Sequence, residues 1–276
     1  MHNVNANGAA IPALGLGTWT LKGDHCAEMV SHALSVGYRH VDTAAAYDNE
    51  TAVGSGLRAS GIARSDIFVT TKVWWTDLAP ADLMRSAESS LKRLGLDQVD
   101  LLLIHWPNPK IPLEGSIKAL NDAKRSGLAR HIGVSNFTTA LLSQAIALSD
   151  APLVANQVEY HPYLDQKKVL RACREAGMAM VSYCPLSRGG PLFAERAVTD
   201  AAARHSKTPG QVVLRWHVQQ EGVVAIPRTN RLERLAENFA IFDFALSDAE
   251  MSAISALSGA NHRICDYDFS PQWDAA

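Results

Sequence analysis

Residues 37–50 read G-Y-R-H-V-D-T-A-A-A-Y-D-N-E, and the fold follows from how that stretch is parsed. Residues 39–43 predict a short strand. The small-residue loop Ala44-Ala45-Ala46 leaves it and carries Tyr47 toward a new helix over 49–60. Asp42 and Tyr47 are thereby held at one end of one strand. Taken alone, this is a strand terminus with an acidic cap and a packed phenol.

The same strand–loop–helix beat runs outward in both directions. Upstream, residues 3–12 predict a hairpin around Asn7-Gly8, the favoured pair for a tight primed turn, and 14–18 the first strand proper. Downstream, strands are predicted over 67–72, 99–105, 131–136, 153–157, 178–183 and 223–227. Helices are predicted near 26–36, 80–94, 113–126, 138–148, 165–176 and 230–240, with an extra helix over 208–220. Ala79-Pro80 and Thr208-Pro209 open helices, and Gly61, Gly127 and Gly177 close them. A last helix over 247–258 begins at Ser247 with Glu250 three residues on, a capping box, and a polar, aromatic tail follows.

Strands alternating with helices of this length form parallel βαβ units. Residues 99–104 are almost continuously aliphatic, as in a strand covered on both faces. Eight such units fit a (β/α)8 TIM barrel with an N-terminal hairpin, an extra C-terminal helix and a short tail. A doubly wound sheet is the alternative. Its dinucleotide fingerprint fails after the first strand, where Gly15 and Gly17 are followed by Thr20. The Gly54-Ser55-Gly56 run fits that spacing only loosely and lies inside a helical pattern. With no linker or repeat, residues 1–276 are expected to form one domain.

Composition narrows the function. The 276 residues carry a formal charge of −2 with interspersed signs, which offers no basic stripe for nucleic acid. No apolar run reaches the roughly 20 residues of a membrane span, and the start M-H-N-V-N-A-N-G lacks the features of a leader. Cys26, Cys173, Cys184 and Cys265 form no C-x-x-C pair, so reduced thiols, no metal and a cytoplasmic setting are expected.

Asp42, Lys72, His105, Asn136, Gln157 and Tyr183 end six successive strands. In a barrel, six polar side chains at one phase converge in one bowl at the strand ends. Individually, Lys72 would be a snorkelling lysine and His105 a satisfied core histidine. Together they describe a proton donor, Tyr47, a charged pair, Asp42 and Lys72, expected to lower the phenol's pKa, and His105 facing the same substrate oxygen. Trp19, Trp74, Trp75 and Trp106 follow strand ends and suit an apolar wall around a small organic substrate and a flat cofactor.

These residues resemble the aldo-keto reductase superfamily. G-Y-R-H-V-D-T-A-x-x-Y-x-N-E (37–50), V-D-L-L-L-I-H-W-P (99–107), I-G-V-S-N-F (132–137) and I-P-R-T-x-x-x-x-R-x-x-E-N (226–238) look like its signatures, in order along the chain. The resemblance implies a cytoplasmic, monomeric, NADPH-dependent reductase of aldehydes and ketones. Tyr47 would be the general acid, Asp42 and Lys72 its tuning pair, and His105 the residue that orients the carbonyl. Gly17, Thr18, Trp19, Asp42, Pro185, Leu186, Ser187 and Ile226 would bind the cofactor, with Ser135, Asn136 and Gln157 holding its carboxamide and Tyr183 stacking on the nicotinamide ring. Arg228, Thr229 and Arg234 would hold its 2′-phosphate, with Glu237 and Asn238 toward the adenine. The family usually has lysine where Arg228 stands and serine where Thr229 stands; NADPH is favoured, with NADH the weaker alternative. Trp19, Tyr47, Trp74, His105, Trp106 and Arg263 are the candidate substrate contacts. Asn261-x-Arg263 and the closing P-x-W-D look like bacterial 2,5-diketo-gluconate and methylglyoxal reductases, which implies an open pocket for small polar dicarbonyls. Two other functions are weighed: a non-catalytic NADPH- or partner-binding barrel, and a Schiff-base lyase using Lys72.

Overall fold

The computed structural model describes residues 1–275. Asn7 (φ 45°) and Gly8 (φ 87°) both adopt left-handed backbone, the geometry of a primed hairpin turn. They join β1 (Asn3–Ala6) to β2 (Ala9–Pro12), antiparallel, with Ala6 opposite Ala9. The Asn7 side chain donates to the carbonyls of Leu153 and Ala176 at 2.7 and 2.9 Å. Leu153 begins one later strand and Ala176 precedes another, so the hairpin covers the end of the barrel where strands begin.

Eight parallel strands follow: β3 (Leu16–Gly17), β4 (His40–Asp42), β5 (Phe68–Val73), β6 (Val99–Ile104), β7 (Ala129–Ser135), β8 (Leu153–Glu159), β9 (Ala179–Tyr183) and β10 (Val223–Ala225). Each pairs with the next in chain order. The sheet then closes on itself, which decides between barrel and doubly wound sheet. Leu14 bridges Ala225, Ala225 N–H donates to Ala13 at 2.9 Å, Gly15 N–H to Ala225 at 2.9 Å and Gly17 N–H to Pro227 at 3.0 Å. A doubly wound sheet would have left β3 and β10 as free edges. All six residues of β6 are buried, as its unbroken aliphatic run requires.

The helices are α1 (Gly23–Val36), α2 (Glu50–Ala59), α3 (Pro80–Leu94), α4 (Leu113–Arg125), α5 (Thr139–Leu148), α6 (Lys167–Glu175), α7 (Arg196–His205), α8 (Pro209–Val218), α9 (Leu232–Phe239) and α10 (Asp248–Ser255). Capping boxes start α8, at Thr208 with Gln211, and α10, at Ser247 with Glu250. Gly54 and Gly56 lie inside α2 and serve packing. A Cβ on Gly54 would collide with the Leu94 carbonyl, and one on Gly56 would come within 2.5 Å of the Ala27 carbonyl.

α7 is an element that the sequence pattern does not predict. Its buried stripe is only Val198, Ala201 and Ala202, and Glu195 before it makes no side-chain cap. A stripe of that small apolar bulk gives little periodic signal.

The tail beyond α10 is short but folds tightly over the strand-end mouth. Phe269 stacks on Trp75 at 5.0 Å and packs edge-on against Trp74 and Trp106. Asp274 then accepts from the Thr139 N–H and hydroxyl at 2.9 and 2.6 Å, fastening the tail to the start of α5.

Candidate active site

Lys72 has no solvent exposure. Its Nζ donates to Asp42 Oδ1 at 2.5 Å, the Thr43 carbonyl at 2.8 Å and Tyr47 Oη at 3.3 Å. The other Asp42 oxygen accepts from Gln157 Nε2 at 2.7 Å, a bond that runs from β4 to β8. A buried ion pair is tolerable only when its remaining hydrogen-bonding capacity is met, and here Thr43, Tyr47 and Gln157 meet it.

Tyr47 arrives on a single 3-10 turn, Ala45–Tyr47, rather than on a helix. Asn49 fixes that turn: its amide donates to the carbonyls of Thr18 and Leu21, and it accepts from the Thr43 hydroxyl. The Tyr47 ring meets the His105 ring edge-on at 5.5 Å. His105 also packs against Trp74, and its Nδ1 is buried without a hydrogen-bond partner.

Burial dominates the titration of all three groups. It pushes Tyr47 well above the ordinary tyrosine value, and Asp42 adds to the rise. This reverses the direction predicted from sequence. Asp42 offsets the Lys72 charge at 2.5 Å, so the loss of water around the phenol outweighs any cationic help. Burial lowers Lys72, while Asp42 opposes it. His105 is held well below the ordinary histidine value, first by burial and then by Lys72. At neutral pH Tyr47 therefore keeps its proton and His105 is uncharged.

Asn136 sits one residue past β7 with left-handed backbone (φ 62°). Its amide donates to the His105 carbonyl at 2.9 Å and to Ser135 Oγ at 3.1 Å, and its oxygen accepts from Tyr183 Oη at 2.8 Å. Ser135 Oγ donates to the Gln157 carbonyl at 2.7 Å. Tyr183 is thus tied to the strand ends and lines the wall.

A cavity of about 1520 Å³ opens above these groups. That exceeds the roughly 300–1,000 Å³ of a drug-sized pocket and leaves room for a long ligand beside a small one. Asp42, Tyr47, Trp74, His105, Trp106, Asn136, Gln157 and Tyr183 line one part. The same cavity is lined by Gly17, Thr18, Trp19, Pro185, Leu186 and Ile226, and by Arg228, Thr229, Arg234 and Asn238. Arg228 and Thr229 precede α9 and Arg234 lies in its first turn, where backbone N–H groups and arginine forks suit a phosphate dianion. The donor set therefore fits a nicotinamide dinucleotide carrying an extra phosphate.

Several candidates lie elsewhere. Lys72 and Ser135 are beneath the cavity floor, bonded to residues that line it. Ser187 lies behind the wall, its N–H donating to Cys184. Glu237 accepts from Thr208 Oγ1 and Arg234, each at 2.8 Å, and so orients an arginine. Arg263 does not line this cavity: its guanidinium lies 3.7 Å from the Trp273 ring centroid, with Nη1 buried and without a hydrogen-bond partner among the described residues. Conversely, the cavity includes Arg231, Arg188, Tyr267, Phe269, Cys184 and Cys265, none of them predicted as site residues. Arg231, between two chosen arginines, carried a usable charge signal; the tail residues carried none.

Comparison with known proteins follows the same lines. Residues 13–258 match the model of the Aldo/keto reductase family. The chain is 42% identical over 267 residues to methylglyoxal reductase DkgB of Salmonella typhimurium, covering 96% of this chain and 99% of that protein. A crystal structure provisionally described as a 2,5-diketo-D-gluconic acid reductase B superposes with a TM-score of 0.97 at 47% identity, covering 100% of this chain and 98% of that one. A Bombyx mori aldo-keto reductase in complex with NADP superposes with a TM-score of 0.89 at 35% identity, covering 96% and 94%.

Proposed function

Because the chain belongs to the aldo/keto reductase family, we propose that it is an NADPH-dependent reductase of small aldehydes and ketones, with methylglyoxal-like dicarbonyls its preferred class. The observation that carries the mechanism is the convergence of Lys72, Asp42, Tyr47 and His105 at one end of the barrel, beneath a cavity whose lining includes Arg228, Arg231 and Arg234.

A bound reduced nicotinamide would supply the hydride for the carbonyl carbon. Tyr47 gives its proton to the carbonyl oxygen as negative charge develops there. Lys72, 3.3 Å from Tyr47 Oη, then faces the phenolate that remains and stabilises it in a site with little water. Uncharged His105 donates a hydrogen bond that orients the oxygen without competing for the proton. Trp19, Trp74 and Trp106 exclude water from the reacting centre. Ser135, Asn136, Gln157 and Tyr183 would hold the carboxamide and ring of the nicotinamide, and Arg228, Thr229 and Arg234 the 2′-phosphate.

The bacterial relative named methylglyoxal reductase supports the dicarbonyl reading, and the relative bound to NADP supports the cofactor reading. A Schiff-base role for Lys72 is disfavoured, because that chemistry needs an uncharged, accessible amine and this one is buried against an aspartate. The cofactor reading is tested by nucleotide titration, followed by fluorescence. NADPH should bind more tightly than NADH, and Arg228→Ala should weaken NADPH by roughly 10- to 100-fold, the worth of a charge-assisted fork, while leaving NADH nearly unchanged. Equal binding of the two nucleotides by the wild type would remove the phosphate site from the account.

A further inference from the structure

Two of the four cysteines meet at the cavity wall. Cys184 follows Tyr183 at the end of β9 with left-handed backbone (φ 50°). Cys265 belongs to the tail, and its position is set by a buried carboxylate: Glu159 accepts from the N–H groups of Ile264 and Cys265, each at 2.7 Å. Glu159 is also the β8 partner of Tyr183. The residue that holds Cys265 is therefore the strand neighbour of the residue before Cys184. The Cys184 and Cys265 side chains lie close enough to interact directly, as do Cys265 and Tyr267. Both cysteines line the cavity; Cys184 is half-buried and Cys265 buried. Cys26 and Cys173 are fully buried in α1 and α6, and burial pushes them up to about 11 and about 12.

We propose that Cys184 and Cys265 form a reversible redox site, oxidised by peroxide to a disulfide that joins two walls of the cavity and slows turnover. One of the two thiolates attacks one peroxide oxygen and the O–O bond breaks, giving a sulfenic acid and hydroxide. The other sulfur then attacks the sulfenic sulfur. The S–O bond breaks, and the proton of that second thiol leaves with the departing hydroxyl as water. Peroxide is reduced, the two thiols are oxidised, and a dithiol reductant reverses the change. The cross-link ties the tail, with Tyr267 and Phe269, to the loop carrying Pro185 and Leu186. Those walls then separate less readily for ligand entry and release, a step that often limits turnover. The effect on turnover rests on the proposed carbonyl reduction; the cross-link itself does not.

The test treats the full chain with hydrogen peroxide, alkylates the remaining thiols and maps tryptic peptides. Peptides 175–188 and 264–276 should be joined by a disulfide that dithiothreitol cleaves, with Cys26 and Cys173 still alkylated. Methylglyoxal reduction with NADPH should fall roughly tenfold on oxidation and recover on reduction, if ligand passage becomes limiting. Cys184→Ser and Cys265→Ser should each hold the oxidised-to-reduced activity ratio near one. NADPH release, followed by stopped-flow fluorescence, should slow in the oxidised protein whether or not methylglyoxal is turned over, which separates failure of this site from failure of the proposed reaction. Four freely alkylated cysteines would overturn the proposal. So would a cross-link that changes neither NADPH release nor turnover.

Discussion

Lys72 has no exposure and three hydrogen-bond partners, and each of them would lose something different if it were replaced. Lys72→Met removes the charge facing the Tyr47 oxygen and also leaves Asp42 buried with only Gln157 as a partner. Two effects follow and can be separated. Turnover should fall by roughly 10³-fold from lost electrostatic stabilisation, and stability should fall by about 3–5 kcal/mol from the unpaired aspartate. The double variant Asp42→Asn/Lys72→Met should recover much of the stability and none of the turnover. Denaturant midpoints and kcat measured on both proteins check this; recovery of turnover in the double variant would show that Lys72 acts only structurally. At this scale the sequence was informative about identity and poor about energetics. Position at a strand end names Asp42, Lys72 and His105, but burial, which depends on the packed surroundings, decides the direction in which Tyr47 titrates.

The tail is the element whose behaviour is least visible in the chain. Its contacts join residues more than a hundred positions apart, such as Ile264 with Glu159 and Asp274 with Thr139, and no local periodicity records such pairings. Asp274 fastens the tail to the start of α5, and between that clasp and Glu159 lie Tyr267 and Phe269, which form part of the cavity wall. Asp274→Ala should loosen that wall while leaving the floor intact. KM for methylglyoxal should rise roughly tenfold with kcat within about threefold, the signature of lost binding shared by ground and transition states. Steady-state kinetics read both numbers, and an unchanged KM would make the clasp irrelevant to substrate. α7 was hidden for a different reason: Ala201 and Ala202 form most of its buried face, and alanine gives a periodicity search little bulk to detect. Arg263, which the sequence made a substrate contact, instead packs on Trp273 and helps shape the tail.

Across the whole molecule, the architecture was legible because a parallel barrel repeats one simple unit. Each strand is a short aliphatic run, each helix has its punctuation, and the polar residue at each strand's end marks the functional face. Closure was expected from the count of units, but the backbone bonds that make it, among Ala13, Gly15, Gly17, Ala225 and Pro227, are encoded by no side-chain pattern. Closure is what places Asp42 on β4 within reach of Gln157 on β8, and so makes one bowl from separate strand ends. The central claim is that this bowl reduces carbonyls with Tyr47 as the proton donor. The most direct test is NADPH oxidation, followed by absorbance, with methylglyoxal and with Tyr47→Phe run beside the wild type. Phenylalanine keeps the ring and its packing against His105 and removes only the proton, so turnover should fall by roughly 10³-fold or more while NADPH binding is retained. Turnover by Tyr47→Phe within about tenfold of the wild type, below the usual worth of a general acid, would contradict the account.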